Sequence, residues 1–210
     1  MAKSHLKLVA PTEVKRTVAP KCQPTRRPNT DLRSREHLTL TEVTALIEAA
    51  KGNRYGHRDA TMILVAFRHG LRAAEVCDLR RDQVDFNGAV LHVRRVKNGI
   101  PSTHPFHGDE LRALRRLQRE SPSSPFVFVS ERGSPFTTAG FARMVERAAA
   151  GAGLEIKAHP HMLRHACGYA LANKGHDTRA IQGWLGHRSI TSTAVYTALA
   201  PNRFKDFWRD

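Results

Sequence analysis

The alternation of hydrophobic and polar residues becomes regular near residue 39. Thr39 and Glu42 have the spacing of a capping box, in which each side chain bonds the other's backbone N–H. Apolar residues then recur at helical spacing, at Leu40, Val43, Leu46, Ile47 and Ala50. A second helix is predicted at about 57–69, since residues 62–67 are apolar on nearly every side, as in a buried central helix. It ends at Gly70, which puts Arg72 at the edge of the core.

The next segment has the pattern of a small sheet. After a helical turn from Glu75 to Arg80, short strand-like runs at about 84–86, 89–96 and 100–106 are separated by Asn87-Gly88 and Asn98-Gly99. Asn-Gly is typical of the tight turns that join antiparallel strands. The sequence therefore predicts three short antiparallel strands.

The remainder of the chain reads as helical. Helices are predicted at about 108–119, 137–150, 160–173, 177–185 and 189–198. A tail helix, residues 201–210, places Phe204, Phe207 and Trp208 on one face, which is too apolar to leave in water. This face must pack on its own domain or on another molecule. The predicted fold class is mainly α with a small antiparallel β-sheet, an α+β domain.

Residues 1–36 lack any regular pattern. They contain nine Lys or Arg, three acidic residues and four prolines, so we predict a flexible basic N-terminal arm. The chain length of 210 residues allows one principal domain, which we place at residues 37–200, followed by the tail helix at 201–210.

The net charge of the chain indicates what class of molecule it binds. Lys and Arg outnumber Asp and Glu by 34 to 19, which gives a net charge of +15. The arm carries +6 of this, so residues 37–210 keep +9 and are themselves basic. Such a surplus indicates a polyanion, with DNA first, and the arm would add nonspecific phosphate contacts. A merely basic soluble protein or a ribosome-associated one would show the same charge, so charge specifies no chemistry.

Composition also bears on compartment and redox state. No apolar run approaches the ~18–20 residues of a membrane span, and residues 1–15 are charged throughout, unlike a secretory signal. Cys22, Cys77 and Cys167 are odd in number and far apart, which argues against a disulfide framework or a zinc cage. We therefore expect reduced cysteines and a cytoplasmic protein with no membrane partner.

Helix 160–173 carries the main chemical signal. Beside an apolar stripe lies a polar face that contains His161, Arg164, His165 and Gly168. Two imidazoles and a guanidinium next to a glycine, which lets another backbone approach closely, are typical of a phosphate site. Ordinary solvated side chains at positions 161 and 164 would give the same pattern.

A zinc site is the alternative on this helix. His161 and His165 have the i, i+4 spacing of helical zinc ligands, and His159 is close in sequence. A zinc protease would have Glu directly after the first His, where this chain has Met162, and no further ligand stands at suitable spacing. We therefore expect no metal site.

An ordered set of motifs over residues 38–208 resembles the tyrosine recombinase (lambda-integrase) family. HGLRAAEVCDLR resembles the family's first arginine box, HPHMLRH its H-x-x-R box, and WLGHRSITSTAVYTAL its closing segment. The segments STHPF and VYTA extend the similarity to the short fimbrial phase-switch invertases. Each motif alone is weak, and their order and spacing carry the resemblance.

The resemblance implies a tyrosine recombinase catalytic-domain fold and a role for each motif residue. The implied catalytic residues are Arg72, Lys97, His161, Arg164, His187 and Tyr196. Glu75 and His165 would support them, with Glu75 orienting side chains rather than transferring protons. His187 would bond a nonbridging phosphoryl oxygen, held in place by the tight turn at Gly186.

These residue types suit cleavage of a phosphodiester. Guanidinium groups stabilise the negative charge that builds up on the phosphoryl oxygens. The phenol of Tyr196, with an ordinary pKa of ~10, needs a proton acceptor to attack phosphorus, for which we predict His161. The departing deoxyribose oxygen needs a proton, which the resemblance assigns to Lys97. A phosphotyrosine keeps the energy of the broken bond, so no cofactor is expected.

The predicted function is site-specific DNA recombination through a 3′-phosphotyrosyl intermediate, leading to inversion or integration. A non-catalytic DNA-binding regulator and a type IB topoisomerase are the alternatives. The resemblance implies double-stranded DNA with paired sites, a homo-tetramer that exchanges the tail between protomers, and action on the bacterial nucleoid. The family's usual DNA-clamping domain is not seen before residue 37, so grip on DNA would depend on the arm or on accessory DNA-bending proteins.

Overall fold

The computed structural model describes residues 35–96, 98–121 and 123–198. In these residues it has eight α-helices, one 3-10 turn and one three-stranded sheet. The helices are α1 (Leu40–Lys51), α2 (Gly56–Arg68), α3 (Ala73–Cys77), α4 (Gly108–Glu120), α5 (Thr138–Gly151), α6 (Pro160–Asn173), α7 (Thr178–Leu185) and α8 (Thr191–Ala198). The strands are β1 (Val84–Asp85), β2 (Val90–Val93) and β3 (Ser102–Pro105), and the 3-10 turn is Arg81–Gln83. The predicted fold class, mainly helical with a small antiparallel sheet, is confirmed.

Four sequence predictions fall on residues outside this range. They are the basic arm up to residue 34, Cys22, Lys97 and the tail helix 201–210. The described chain begins at Arg35, whose guanidinium pairs with Glu42 in α1.

Local side-chain caps determine where several helices begin. At α1 the predicted capping box is present: Thr39 Oγ1 accepts from the Glu42 N–H at 3.3 Å, and Glu42 Oε2 accepts from the Thr39 N–H at 2.8 Å. Asp177 caps α7 in a similar way, by accepting from the N–H groups of Arg179 and Ala180. Because these bonds are local, the main predicted helices agree with the structure to within two residues at each end.

The core is built around α2, which packs against α1, α4 and α6. Met62, Ile63 and Val65 are fully buried, as the continuous apolar run predicted. The helix ends at Arg68, and Gly70 follows in a left-handed conformation, with φ of 56°. A Cβ at Gly70 would lie 2.4 Å from a methyl carbon of Leu185, so only glycine fits between the end of α2 and α7.

The sheet has the order β1-β2-β3, and both pairs are antiparallel. Both Asn-Gly sites lie in the connections between the strands, as predicted, although residues 86–89 separate β1 from β2 and residues 94–101 separate β2 from β3, so neither connection is a two-residue turn. In the first connection Asp85 Oδ1 accepts from the N–H groups of Asn87 and Gly88, and the left-handed residue is Ala89, with φ of 54°. These two bonds from the Asp85 side chain stabilise the first connection.

No helix among residues 35–96, 98–121 and 123–198 has the length and apolar character needed to cross a membrane. Cys77 and Cys167 are free and buried. Burial raises the pKa of each of these thiols to about 12, so both are protonated at neutral pH.

Leu46→Ala should cost about 2–5 kcal/mol of unfolding free energy, because Leu46 in α1 has no exposed surface and the substitution leaves a cavity. The matched control is Leu40→Ala in the same helix, where the side chain is 59% exposed and the loss should stay below about 1 kcal/mol. Urea denaturation of both variants measures the difference, and equal losses would contradict the placement of the α1 core face.

Candidate active site

Arg164 is the most deeply buried of the predicted site residues, with 2% of its surface exposed. One terminal nitrogen donates to the Gly70 carbonyl at 2.5 Å and the other donates to the Leu185 carbonyl at 2.7 Å. The side chain therefore connects α6 to the end of α2 and the end of α7. Burial lowers the pKa of Arg164 to about 10, with the charges of Arg72 and Arg95 adding to the effect, and the group is still a cation at neutral pH.

Arg72 lies at the start of α3 and is held by Glu75. Its backbone N–H donates to Glu75 Oε2 at 2.9 Å, and its guanidinium donates to Oε1 at 2.7 Å. About a quarter of the Arg72 side chain stays exposed, whereas that of Glu75 is 1% exposed. This geometry suits a guanidinium that is aimed at a ligand by a buried carboxylate, which is the orienting role predicted for Glu75.

Glu75 also binds the segment that follows β2. Oε2 accepts from Arg95 at 2.9 Å, and Oε1 accepts from the Val96 N–H at 3.1 Å. Burial by itself would raise the pKa of this carboxyl, but the hydrogen bond from the Arg72 backbone and the charge of Arg95 lower it overall. Glu75 is therefore ionised, and it is a common anchor for two arginines.

Tyr196 in α8 lies against α6 and is 3% exposed. Its hydroxyl oxygen is 3.0 Å from Nδ1 of His165. The His187 ring is nearly parallel to the phenol ring, with the two centroids 6.3 Å apart. The predicted nucleophile, one predicted catalytic histidine and the supporting histidine thus meet within a single protomer.

The proton acceptor predicted from the sequence differs from the group that the phenol contacts. We expected His161, but the hydroxyl of Tyr196 contacts His165, and the His161 ring packs edge-on against the His165 ring at 4.5 Å. Both histidines are on one face of α6, one helical turn apart. The Tyr196 ring packs on Gly168, which is one helical turn from His165 and two from His161. His165 is therefore the histidine that contacts the Tyr196 hydroxyl.

Gly168 is the point where α8 meets α6. The sequence predicted that this glycine would admit another backbone, but the group that lies on it is the Tyr196 ring. A Cβ at position 168 would lie 2.8 Å from Cδ2, Cε2 and Cζ of that ring. Because Gly168 has no side chain, the Tyr196 ring can lie directly against α6.

His187 follows α7 directly. Gly186 ends that helix in the left-handed conformation, with φ of 67°, as the predicted tight turn requires. Nδ1 of His187 is 2.9 Å from Oγ1 of the buried Thr193, and this contact fixes the ring plane. With Nδ1 engaged, Nε2 is the ring nitrogen that remains for a ligand.

The site is strongly electropositive. Burial, followed by neighbouring positive groups, lowers the pKa of His165 and of His187 to about 4, and it also lowers the pKa of His161. Burial raises the pKa of Tyr196 to about 12, against the opposing effect of Arg164. The isolated protein thus holds neutral imidazoles and a protonated phenol among buried cations. An anion placed here would favour the charged forms of the histidines.

Sequence reasoning missed Arg95, whose side chain is fully buried beside Glu75. A signal was available, because Leu91 and Val93 are the inward positions of β2 and Arg95 continues their period of two. An arginine at an inward strand position indicates a buried partner. Lys97, two residues further on, lies outside the described residues, although Val96 and Asn98 on either side are described.

A buried polar cluster behind the site was also missed. His69 bonds Glu110 in α4 through Nε2 at 3.1 Å and faces His104 in β3 through Nδ1 at 3.1 Å. Trp184 in α7 stacks on His104, with the ring centroids 3.8 Å apart. The cluster connects β3 to the end of α2, to α4 and to α7. Within the described residues, no group of three or more His, Cys, Asp or Glu is arranged to hold a metal ion.

Comparison with known proteins gives consistent matches. The sequence profile of the phage integrase family matches residues 36–203. The chain is 39% identical over 183 residues to the type 1 fimbriae regulatory protein FimB of Escherichia coli (strain K12), covering 85% of this chain and 92% of FimB. It is 41% identical over 180 residues to FimE of the same strain, covering 83% and 91% of the two chains.

Among solved structures, the crystal structure of XerA recombinase superposes with a TM-score of 0.71 at 28% sequence identity. The similarity covers 82% of this chain and 63% of that one. It supports the fold class predicted from the resemblance.

Gly168→Ala should destabilise the protein by about 1–3 kcal/mol, because the added methyl group overlaps the Tyr196 ring. Gly183→Ala is the matched control: this helical glycine has no described heavy atom within 4 Å of an added Cβ, so the substitution should stabilise α7 by up to about 1 kcal/mol. Thermal denaturation measures the expected loss of stability in Gly168→Ala and the expected gain in Gly183→Ala. A neutral Gly168→Ala variant would show that the ring does not pack on this glycine.

Proposed function

This chain belongs to the phage integrase family and is a site-specific tyrosine recombinase, and we propose that Tyr196 is the nucleophile with which it cuts DNA. The observation that carries the proposal is the contact of the Tyr196 hydroxyl with His165, beside the ring of His187. The described part of one protomer therefore supplies the nucleophile together with its histidines and arginines.

The proposed cleavage step is an in-line displacement at phosphorus. The Tyr196 oxygen forms a bond to the phosphorus while the bond from phosphorus to the 5′ oxygen breaks, leaving a 3′-phosphotyrosine and a free 5′ hydroxyl. The phenol proton passes to an imidazole, and Lys97 donates a proton to the departing 5′ oxygen. In the rejoining step a 5′ hydroxyl attacks the phosphotyrosine, and all proton transfers run in reverse. Energy is conserved in the covalent bond, so the cycle needs no nucleotide.

We assign His165 as the group that receives the phenol proton, with His161 behind it. The 3.0 Å contact supports this order, since a proton acceptor must be within hydrogen-bonding distance. Before DNA binds, the pKa of Tyr196 is about 12 and that of His165 is about 4, so the proton stays on the phenol. The negative phosphate of bound DNA raises the pKa of the imidazole. The nucleophile would thus become reactive when its substrate is in place.

Arg72 and Arg164 are proposed to hold the phosphoryl oxygens. A guanidinium has five N–H donors, and Arg164 uses its two described bonds to backbone carbonyls, which leaves donors for a ligand. Arg72 is partly exposed and bonded to Glu75, so it is both oriented and accessible. His187 would donate a hydrogen bond from Nε2 to a nonbridging phosphoryl oxygen. The permanent positive charges would stabilise the transition state more than the ground state.

DNA is the partner of this activity. We propose that recombination occurs between two paired sites in a homo-tetramer on the bacterial nucleoid, with the tail helix 201–210 reaching a neighbouring protomer. We propose that the basic arm supplies the nonspecific grip on phosphates. Accessory DNA-bending proteins are the alternative source of grip, and reaction of the purified chain alone on naked DNA distinguishes the two.

Tyr196→Phe should abolish the covalent protein–DNA adduct on a nicked suicide substrate and leave DNA affinity nearly unchanged, because only the attacking oxygen is lost. Tyr55→Phe makes the same chemical change far along the chain, before α2, and should form adduct at the wild-type rate. Denaturing gel electrophoresis measures the adduct. An adduct that survives in Tyr196→Phe would rule out this nucleophile, and supercoil relaxation without exchange between two sites would indicate a topoisomerase.

Deletion of residues 201–210 should retain adduct formation on a single site and lose assembly of the two-site complex, because the apolar tail face would no longer bridge protomers. Deletion of residues 1–34 is the contrasting control, since it removes a net charge of +6 and should weaken DNA affinity most strongly at low salt, where phosphate contacts contribute most. Native gels and analytical ultracentrifugation on two-site DNA report assembly. Unchanged assembly without the tail would contradict tail exchange.

A further inference from the structure

The side chain of Arg95 has no solvent exposure and makes four contacts. Its guanidinium donates to the Glu75 carboxylate at 2.9 Å, to the Gly70 carbonyl at 3.2 Å, and to the carbonyls of His69 and Trp184. Glu75 lies in α3, His69 and Gly70 belong to the loop that leads to Arg72, and Trp184 is at the end of α7 that leads to His187. One side chain therefore joins two separate parts of the catalytic set to its own segment of the chain.

A buried arginine at this position is costly for the fold. Desolvation lowers the pKa of Arg95, and within the part of the chain that the structure describes its Nε has no hydrogen-bond partner. An apolar side chain of similar volume is often neutral or stabilising where it replaces a buried ion pair. Packing of the core alone therefore does not explain Arg95, and its contacts with the site have to be considered.

The segment after Arg95 is fastened on both sides of position 97. Before it, the Val96 N–H donates to Glu75 Oε1 at 3.1 Å. After it, the Gly99 N–H donates to the Val96 carbonyl at 3.3 Å, and the Ile100 N–H donates to the Gly186 carbonyl at 3.2 Å. The turn is thereby bonded to the anchor of Arg72 and to the residue that precedes His187.

Two glycines close around the Arg95 side chain. A Cβ at Gly99 would lie 2.7 Å from Cβ of Arg95, and a Cβ at Gly186 would lie 2.9 Å from its Cγ and Nε. The turn and the end of α7 can approach each other only because both glycines lack a side chain where they meet the arginine. Arg95 thus sets the distance between the 96–99 turn and the backbone next to His187.

We infer that Arg95 is a positioning residue for the general acid: it holds the described residues on both sides of position 97 close to Glu75 and Gly186, next to His187. This inference rests on the proposed function, in which Lys97 protonates the departing 5′ oxygen. Arg72 keeps its own two bonds to Glu75, so loss of the Arg95 side chain should disturb the lysine turn more than it disturbs Arg72.

A sulfur substitution in the DNA distinguishes the loss of the general acid from the displacement of Arg72. Replacing the bridging 5′ oxygen by sulfur gives a thiolate leaving group, which departs without protonation because a thiol has a pKa of only ~8.5. A protein that lacks a positioned general acid should then cleave this substrate well. A protein with displaced arginines or a displaced nucleophile should remain slow on both substrates.

The experiment measures single-turnover cleavage by the full-length Arg95→Met variant on matched oxygen and sulfur substrates. Cleavage of the oxygen substrate should fall about 10²-fold or more, in the range of a lost general acid, and cleavage of the sulfur substrate should return to within about 3-fold of wild type. DNA affinity should be unchanged. The control is Arg94→Met, an exposed neighbour paired with Asp82, which should cleave both substrates like wild type.

Lys97→Ala serves as the reference. If it is rescued by sulfur and Arg95→Met is not, or if Arg95→Met cleaves the oxygen substrate normally, the positioning role of Arg95 is wrong. If sulfur does not rescue Lys97→Ala, the general-acid assignment of the proposed function fails instead. Should Arg95→Met lose its cooperative unfolding transition, cleavage of the same two substrates is measured with Arg95→Lys instead, and the same outcomes apply. Arg95→Lys keeps the positive charge beside Glu75 but lacks the forked guanidinium that reaches the carbonyls of Gly70 and Trp184.

Discussion

Two buried guanidinium groups converge on the carbonyl oxygen of Gly70, and the rest of the site is arranged around them. Arg164 reaches this oxygen from α6 and Arg95 reaches it from the segment after β2. Glu75 is the carboxylate that binds Arg95 and Arg72, so the three arginines exceed their described buried counter-charge. Buried cations in excess are unfavourable until an anion arrives. The fold therefore contains buried positive charge that a DNA phosphate can neutralise.

Burial, against the opposing effect of the arginines, keeps the phenol of Tyr196 protonated in the free protein. Tyr196 is held in place by Gly168 and His165, yet its high pKa leaves the proton on the phenol while DNA is absent. Geometry is prepared in advance, whereas the charge that completes the site comes with the substrate. Under the proposed function, this arrangement limits the reactivity of Tyr196 to the DNA-bound state.

Most of the helical fold could be predicted from the sequence, because its signals are local. Thr39 and Glu42 cap α1 through neighbouring atoms, and the apolar run of α2 marks it as central. Motif order brought Arg72, Arg164, His187 and Tyr196 onto the right elements. The sequence could not show that His165 rather than His161 meets the phenol, since that choice depends on where α8 crosses α6. Arg95 was overlooked because its partners are distant in the chain, although the alternation of β2 places position 95 on the same inward side as Leu91 and Val93.

The packing of Gly99 and Gly186 around Arg95 also has an evolutionary consequence. A methyl group at either glycine would collide with the arginine side chain, and a shorter residue at position 95 would leave both backbones without support. These three positions are therefore not free to drift independently. In related chains they should be inherited as a set, so that a change at one is accompanied by compensating changes at the other two.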